Sequence, residues 1–375
     1  MSLTAHQGLL ESLAQRGRLR GLRPIAGMDF ASNDYLALAG SALLRDLTRQ
    51  ALDTPVGSGA ARLLRGNHDA FAALEAEAAT HFGAPAALYF GCGFAANMGI
   101  FSALPQARDL VLHDALIHAS SLDGMRLGAA TARPFAHNDP DAARRALRDW
   151  RRAGGTGQAW IAVESLYSMD GDTAPIAELI QLADQEDAFL IVDEAHATGI
   201  WGPQGRGLAA LYAGQENVVT LHTCGKALGV QGALVCAAPT LIAVLVNRAR
   251  SFIYSTAPSP LLAQVLRGVL AHLGAEPARR SALLARVAQV QDHIRALGLR
   301  PSGSQIQPII LPGDARCLAA AESLAAQGFD IRAIRAPTVP KGTERLRLSL
   351  TLNPSQRDIG TAFAALSEIL QNESA

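Results

Sequence analysis

Six short apolar runs, at residues 86–90, 109–112, 160–163, 189–192, 218–221 and 233–236, are separated by stretches of helical character. A chain that alternates in this way has to lay its strands side by side and return through helices. The segment therefore predicts an α/β fold, a mostly parallel sheet wrapped by helices. Runs that are apolar throughout belong to strands buried on both faces, and such sheets bind ligands in the crevice at the carboxyl ends of their strands. The polar residues that follow each run are the first candidates for function.

At 375 residues the chain exceeds one typical domain. Residues 258–297 turn helical with a break at 274–277. Strand candidates follow at 306–311, 331–334 and 346–350, with helices near 315–327 and 355–370 between and after them. This predicts three parts: an N-terminal helix and extension over 1–40, a large α/β domain over 41–255, and long helices with a small α+β domain over 256–375. The glycine- and arginine-rich stretch 57–66 reads as an ordered loop before a helix that starts near Asn67 or Asp69.

Acidic and basic residues balance at 33 each, which argues against nucleic acid or an anionic membrane surface as a partner. Glu11 and several arginines interrupt the leucines of residues 1–23, so an amphipathic helix is expected there rather than an export signal. Apolar stretches such as 241–246 fall far short of the roughly 18 residues that cross a bilayer. Cys92, Cys224, Cys236 and Cys317 have no metal-site spacing, and the expectation is reduced thiols in a soluble cytoplasmic protein without a metal.

Of the 33 lysines and arginines only two are lysine. Lys341 suits a surface turn, Pro340-Lys341-Gly342. Lys226 lies in the glycine-flanked run Thr223-Cys224-Gly225-Lys226-Ala227-Leu228-Gly229, where a primary amine is wanted for a reason that arginine does not meet. An amine condenses with an aldehyde, and the obvious aldehyde is pyridoxal 5'-phosphate. Thirty residues before Lys226, the run Val192-Asp193-Glu194-Ala195-His196 closes a buried strand. A carboxylate there is costly unless a cation meets it, and a protonated pyridine nitrogen is such a cation. His196 is placed to reach the ring's phenolic oxygen. Read singly, Asp193 serves equally as a helix cap and His196 as a loop residue.

Residues 89–97 run from a strand through Gly91, Cys92 and Gly93 into a helix with Phe94, a geometry in which backbone amides meet a phosphate. Glycines are also used there for tight turns alone. His118 offers an imidazole to stack on a pyridine ring, and Ser168 offers a hydroxyl; each is also an ordinary loop residue.

The runs 32–36, 91–97, 118–120, 135–139, 168–172, 192–196, 223–229, 253–256 and 337–340, in this order over nearly the whole chain, resemble the α-oxoamine synthases. These are fold-type I pyridoxal phosphate enzymes that join an amino acid to an acyl thioester with loss of carbon dioxide. The resemblance implies Lys226 as the Schiff-base lysine and Asp193 as the partner of the pyridine nitrogen. It puts His118 on the ring, Ser168 and His196 at the phenolic oxygen, and Thr223 with the amides of Cys92, Gly93 and Phe94 near the phosphate. Thr256 would reach the phosphate of a neighbouring subunit, which implies a homodimer with shared sites. Arg347 would grip the amino acid carboxylate, with Asn33 also on the substrate side; the alternative for Arg347 is a solvated strand arginine like Arg345.

The segment 23–30 is shorter than the family pattern, leaving Arg20 and Arg23 as two candidates for an amino-terminal substrate arginine. Cys92 stands where the family often has a hydroxyl. The resemblance further implies the biotin-pathway reaction of L-alanine with a pimeloyl thioester, Arg335 being the candidate for the acyl-chain carboxylate. Other members of the family, which use glycine or serine and other thioesters, are the nearest alternatives. A fold-type I aminotransferase is more distant, and a non-catalytic regulatory domain that binds pyridoxal phosphate is of another class.

Overall fold

The computed structural model describes residues 3–22 and 24–372. The strands are β1 (Met28–Asp29), β2 (Ala86–Phe90), β3 (Leu110–Asp114), β4 (Thr131–Phe135), β5 (Ala159–Glu164), β6 (Ala188–Asp193), β7 (Val218–Thr223), β8 (Ala233–Ala237), β9 (Ile306–Ile310), β10 (Phe329–Asp330), β11 (Arg332–Ile334) and β12 (Arg345–Ser349). Seven of them form one sheet in the order β2-β8-β7-β6-β5-β3-β4. Only β8 runs against the others, pairing antiparallel with both β2 and β7. The fold is thus the mostly parallel α/β architecture that the resemblance implies.

Each of the six expected strands is present, and β3, β5, β6 and β7 carry on to a polar residue at the end: Asp114, Glu164, Asp193 and Thr223. The seventh, β4, was not expected. It is an edge strand that exposes Thr131, Ala132, Arg133 and Pro134 and buries only Phe135, so it has no apolar run to reveal it. Pro134 is tolerated because an edge strand leaves one row of N–H groups unpaired.

Helices cover both faces of the sheet. On one face the helix Gly93–Ala103 packs Ala96, Ile100 and Phe101 against Val111, Trp160 and Val219. On the other, Leu147 of Pro140–Arg152 and Leu179 of Ile176–Gln185 meet Leu112, Ile161 and Leu190. Local signals fix these helices. Asp139 accepts a hydrogen bond from Ala142 N–H at 2.8 Å, Pro140 occupies the first turn, and Arg151 and Arg152 close the last. Such a cap contributes about 1 kcal/mol, and the terminal charges complement the helix dipole.

The helix Pro260–Ala275 packs Leu266, Val269 and Leu270 with Phe71 and Leu74 of Asp69–Phe82, in the same core as Leu228 and Leu234. The next helix, Ala278–Ala296, spans the junction: Leu283 joins that core, while Val287, Val290 and Ile294 enter a separate one with β9 and β12. That second core belongs to a small antiparallel sheet, β11-β12-β9. It also takes in Phe30, beside β1, which pairs in parallel with β10.

Period-2 alternation sorts β12 into two faces. Leu346 and Leu348 enter the small core, whereas Arg345, Arg347 and Ser349 turn towards the main sheet. The solvated Arg345 expected from its neighbourhood is corrected here: it is 2% exposed and paired with Asp170 at 2.5 Å. The two units also touch closely at Gly171 (φ +70°), where a Cβ would lie 2.2 Å from the Ile306 carbonyl oxygen. Only glycine allows that approach.

Candidate active site

The carboxyl ends of β5, β6 and β7 open into a cavity of about 160 Å³ lined by Gly93, Phe94, Asn97, His118, Ser120, Glu164, Asp193, Ala195, His196, Leu221, Thr223 and Lys226. Seven of the residues singled out in the sequence meet there: Gly93, Phe94, His118, Asp193, His196, Thr223 and Lys226.

Lys226 Nζ lies 2.7 Å from His196 Nε2, and His196 Nδ1 lies 2.7 Å from the Tyr35 hydroxyl. Tyr35 donates in turn to Asn33 Oδ1 at 3.0 Å. While the lysine is protonated, this chain needs Nε2 of His196 as acceptor and Nδ1–H as donor, which fixes the neutral tautomer. Burial, reinforced by the positive charges of Lys226 and Arg347, holds the imidazole pKa well below its ordinary value. Burial also lowers the Lys226 amine to about 8, against the pull of Asp193 and Glu164. An amine so tuned has a substantial neutral fraction near physiological pH, as a nucleophile or general base requires.

Asp193 is 6% exposed and accepts from Asn97 Nδ2 at 2.8 Å and from the Ala195 N–H at 2.9 Å. Asn97 Nδ2 also reaches Ser120 Oγ at 2.9 Å, and Ser120 Oγ lies 2.7 Å from His118 Nδ1. Asp193 is thereby tied to the wall that carries His118. Asn97, Ser120, Tyr35 and Glu164 were not singled out in the sequence. Glu164 had a readable signal, since it follows the run 160–163; the other three are ordinary polar residues, and the contacts of Asn97 with Asp193 and of Tyr35 with His196 span 96 and 161 residues.

The anion end is built by the helix Gly93–Ala103. Its first amides, on Gly93 and Phe94, have no intrahelical acceptor because they open the first turn. Cys92 is exposed and caps this helix, its sulfur accepting from Ala95 N–H at 3.4 Å, so the thiol is engaged with the backbone. A Cβ on Gly93 would stand 3.2 Å from Thr223 Oγ1. The missing side chain leaves a cradle between hydroxyl and amides that suits a phosphate. With a carboxylate, a buried amine and an imidazole on the remaining walls, this donor set fits the pyridoxal phosphate that the resemblance implies.

Arg347 is 7% exposed and donates to the Ser168 carbonyl at 2.6 Å, to Ser349 Oγ at 2.7 Å and to Asn33 Oδ1 at 3.2 Å. Among the described residues no carboxylate pairs with it. A buried guanidinium held only by neutral acceptors is matched to an anionic ligand. Ser168 lies outside the cavity proper, in an adjoining groove of about 690 Å³ that shares His118 and runs along residues 336–341 past Arg20. A further groove of about 740 Å³ continues from Arg20 to Arg335, whose guanidinium donates to the Gly17 carbonyl.

The loop that bears Ser168 is clamped by His137, 2.8 Å from both Asp114 and Asp172. Burial opposes its charge, but the two carboxylates outweigh burial and raise its pKa to about 10. Thr256 is not at the cavity: it is exposed and forms an isolated bridge with Ala61. Arg23 lies outside the described residues.

The model of the aminotransferase class I and II family matches residues 25–363. Over 378 aligned residues the chain is 39% identical to the 8-amino-7-oxononanoate synthase of Anaeromyxobacter dehalogenans, covering 96% of this chain and 94% of that protein. Among solved structures, 8-amino-7-oxononanoate synthase from Francisella tularensis superposes with a TM-score of 0.78 at 26% identity, covering 93% of this chain and 99% of that one. The serine palmitoyltransferase of S. paucimobilis shares the fold, with a TM-score of 0.88 at 23% identity over 99% of both chains.

Proposed function

The chain belongs to the class I and II aminotransferase family and, within it, to the α-oxoamine synthases, and from that premise we propose that it condenses L-alanine with a pimeloyl thioester. The products are 8-amino-7-oxononanoate, carbon dioxide and the free thiol, and the reaction belongs to biotin biosynthesis. The observation that carries this reading is the buried Lys226 amine on His196, sharing one cavity with Asp193 at the strand ends.

Pyridoxal phosphate, when bound, supplies an aldehyde for the amine and an electron-poor ring that stabilises negative charge on the substrate's Cα. Lys226 Nζ takes the α-proton of alanine, and its lowered pKa lets it do so near neutral pH. Asp193 holds the proton on the ring nitrogen. Arg347 binds the alanine carboxylate, and His118 flanks the reacting centre, where it donates to oxygen as charge develops. Thr223 and the amides of Gly93 and Phe94 hold the phosphate.

The two grooves that lead from His118 past Arg20 to Arg335 give an extended acyl thioester a path out of the cavity, which an aminotransferase would not need. The exposed Leu63, Leu64 and Tyr254, which flank the Ala61–Thr256 bridge, support a homodimer in which Thr256 serves the partner's site. No helix among the described residues is long and apolar enough to cross a membrane, and with the free cysteines this supports a cytoplasmic enzyme.

Thiol release measured with alanine against glycine and serine, and with pimeloyl against acetyl and succinyl thioesters, tests the assignment. Fastest release is expected with alanine and the pimeloyl thioester, and preference for another pair would move the chain to another branch of the family. For Arg335→Ala, KM for the pimeloyl thioester should rise about tenfold, the loss of one charge-assisted hydrogen bond. KM for alanine should change less. Equal rises would remove Arg335 from the acyl-chain site.

A further inference from the structure

Two carboxyl groups stand side by side at the carboxyl end of the sheet. Glu164 closes β5, Asp193 closes β6, and the parallel register sets them opposite each other. Both line the cavity that holds Lys226, at 2% and 6% exposure. Two anions in so small a space repel, so the pair keeps one proton.

The surrounding donors decide where that proton sits. Asp193 accepts on both oxygens, from Asn97 Nδ2 and from Ala195 N–H. Glu164 accepts on one, Ser168 N–H reaching Oε2 at 3.1 Å, while Oε1 is buried without a partner. Donors stabilise an ionised carboxyl, so the charge goes to Asp193 and the proton to Oε1 of Glu164.

We propose that Glu164 is a positioning acid of the site, which keeps its proton so that Asp193 alone carries the negative charge facing the cofactor's ring nitrogen. This rests on the role given to Asp193 above. Burial and the charge of Asp193 push the Glu164 carboxyl up to about 8, against attraction to Lys226 and the hydrogen bond from Ser168; Asp114 adds repulsion. The charge of Glu164, when ionised, also opposes ionisation of the buried Tyr35 and Tyr167 hydroxyls, behind the effect of burial. Below that pH Glu164 is neutral, and above it a second anion enters the cavity and competes with Asp193 for the cationic ring.

The test is infrared difference spectroscopy of the cofactor-free protein across this pH range, comparing wild type with Glu164→Gln. One protonated carboxyl signal should be lost in the variant. A second, from Glu194, which burial raises to about 7, should persist in both. Lys226 titrates in the same range but gives no carboxyl signal. A wild type without the Glu164 signal, or a variant that retains it, overturns the proposal. If Glu164→Gln does not fold, Glu164→Met serves in the same comparison.

In the loaded enzyme the fall of kcat above about pH 8 should disappear in Glu164→Gln, with KM for alanine changing less than about threefold. A structural residue would not remove one limb of a pH profile, and an unchanged limb counts against Glu164. A wild type that binds no pyridoxal phosphate would instead refute the functional reading and leave the infrared result standing.

Discussion

Lys226→Ala should lower product formation about 10⁴-fold, the upper range for loss of a general base, and borohydride should then fix no cofactor to the protein. The chain has only two lysines. Lys341 lines the outer groove beside Arg20, whereas Lys226 alone lines the cavity with Asp193 and His196. Peptide mass spectrometry after reduction therefore has two possible answers in wild type, and a tag on Lys341 would end the assignment. The variant should fold. Lys226 Nζ makes one side-chain hydrogen bond, to His196, and His196 keeps its contact with Tyr35. Removing a buried amine also relieves a desolvation cost. A small residual rate is expected from the remaining binding groups, because Arg347 still orients the substrate.

How much of this was readable before folding depended on whether a residue's role is local. The strands of the sheet interior were legible because burial on both faces demands continuous apolar runs, as in Leu190-Ile191-Val192. The edge strand β4 was hidden because exposure leaves its composition free. The crevice rule pointed to Asp193 and His196 because each lies at or just past a strand end, whereas Thr223 was implied by the resemblance. Glu164 also follows an apolar run but was not singled out, because a single carboxyl after a strand says little until its register neighbour is known to be Asp193.

Asn97 and Tyr35 fall within runs that carry the resemblance, but no role could be given to either, since their partners Asp193 and His196 lie 96 and 161 residues away. Arg345 misled for a related reason. An arginine-rich chain invites a solvated reading, and the Asp170 pairing from the loop after β5, with the Thr343 and Met169 carbonyls, offsets its burial.

Asp193→Asn should leave the protein folded and able to bind cofactor while slowing exchange of the alanine α-proton about 10³-fold. An opposite charge in contact shifts a pKa by about 1 to 3 units, up to about 4 kcal/mol, and that is the preference for a protonated ring nitrogen that the carboxylate supplies. The substitution nearly preserves shape, so the surroundings must accept an amide in place of one carboxylate oxygen. Asn97 makes this feasible. Its Nδ2 now donates to Asp193, while its Oδ1 is buried without a partner. Rotating the Asn97 amide presents that oxygen to the new NH2, at the cost of the hydrogen bond from Nδ2 to Ser120 Oγ. Ala195 N–H keeps its acceptor if the retained oxygen stays in place.

Loss of charge is thus separated from loss of structure, and α-proton exchange followed by deuterium uptake reads the chemical step without the thioester. Exchange as fast as in wild type, in a variant with normal cofactor absorbance, would mean that the carboxylate does not sustain the electron sink. Weak cofactor binding with a normal rate per bound cofactor would assign Asp193 to holding the ring rather than to activating it.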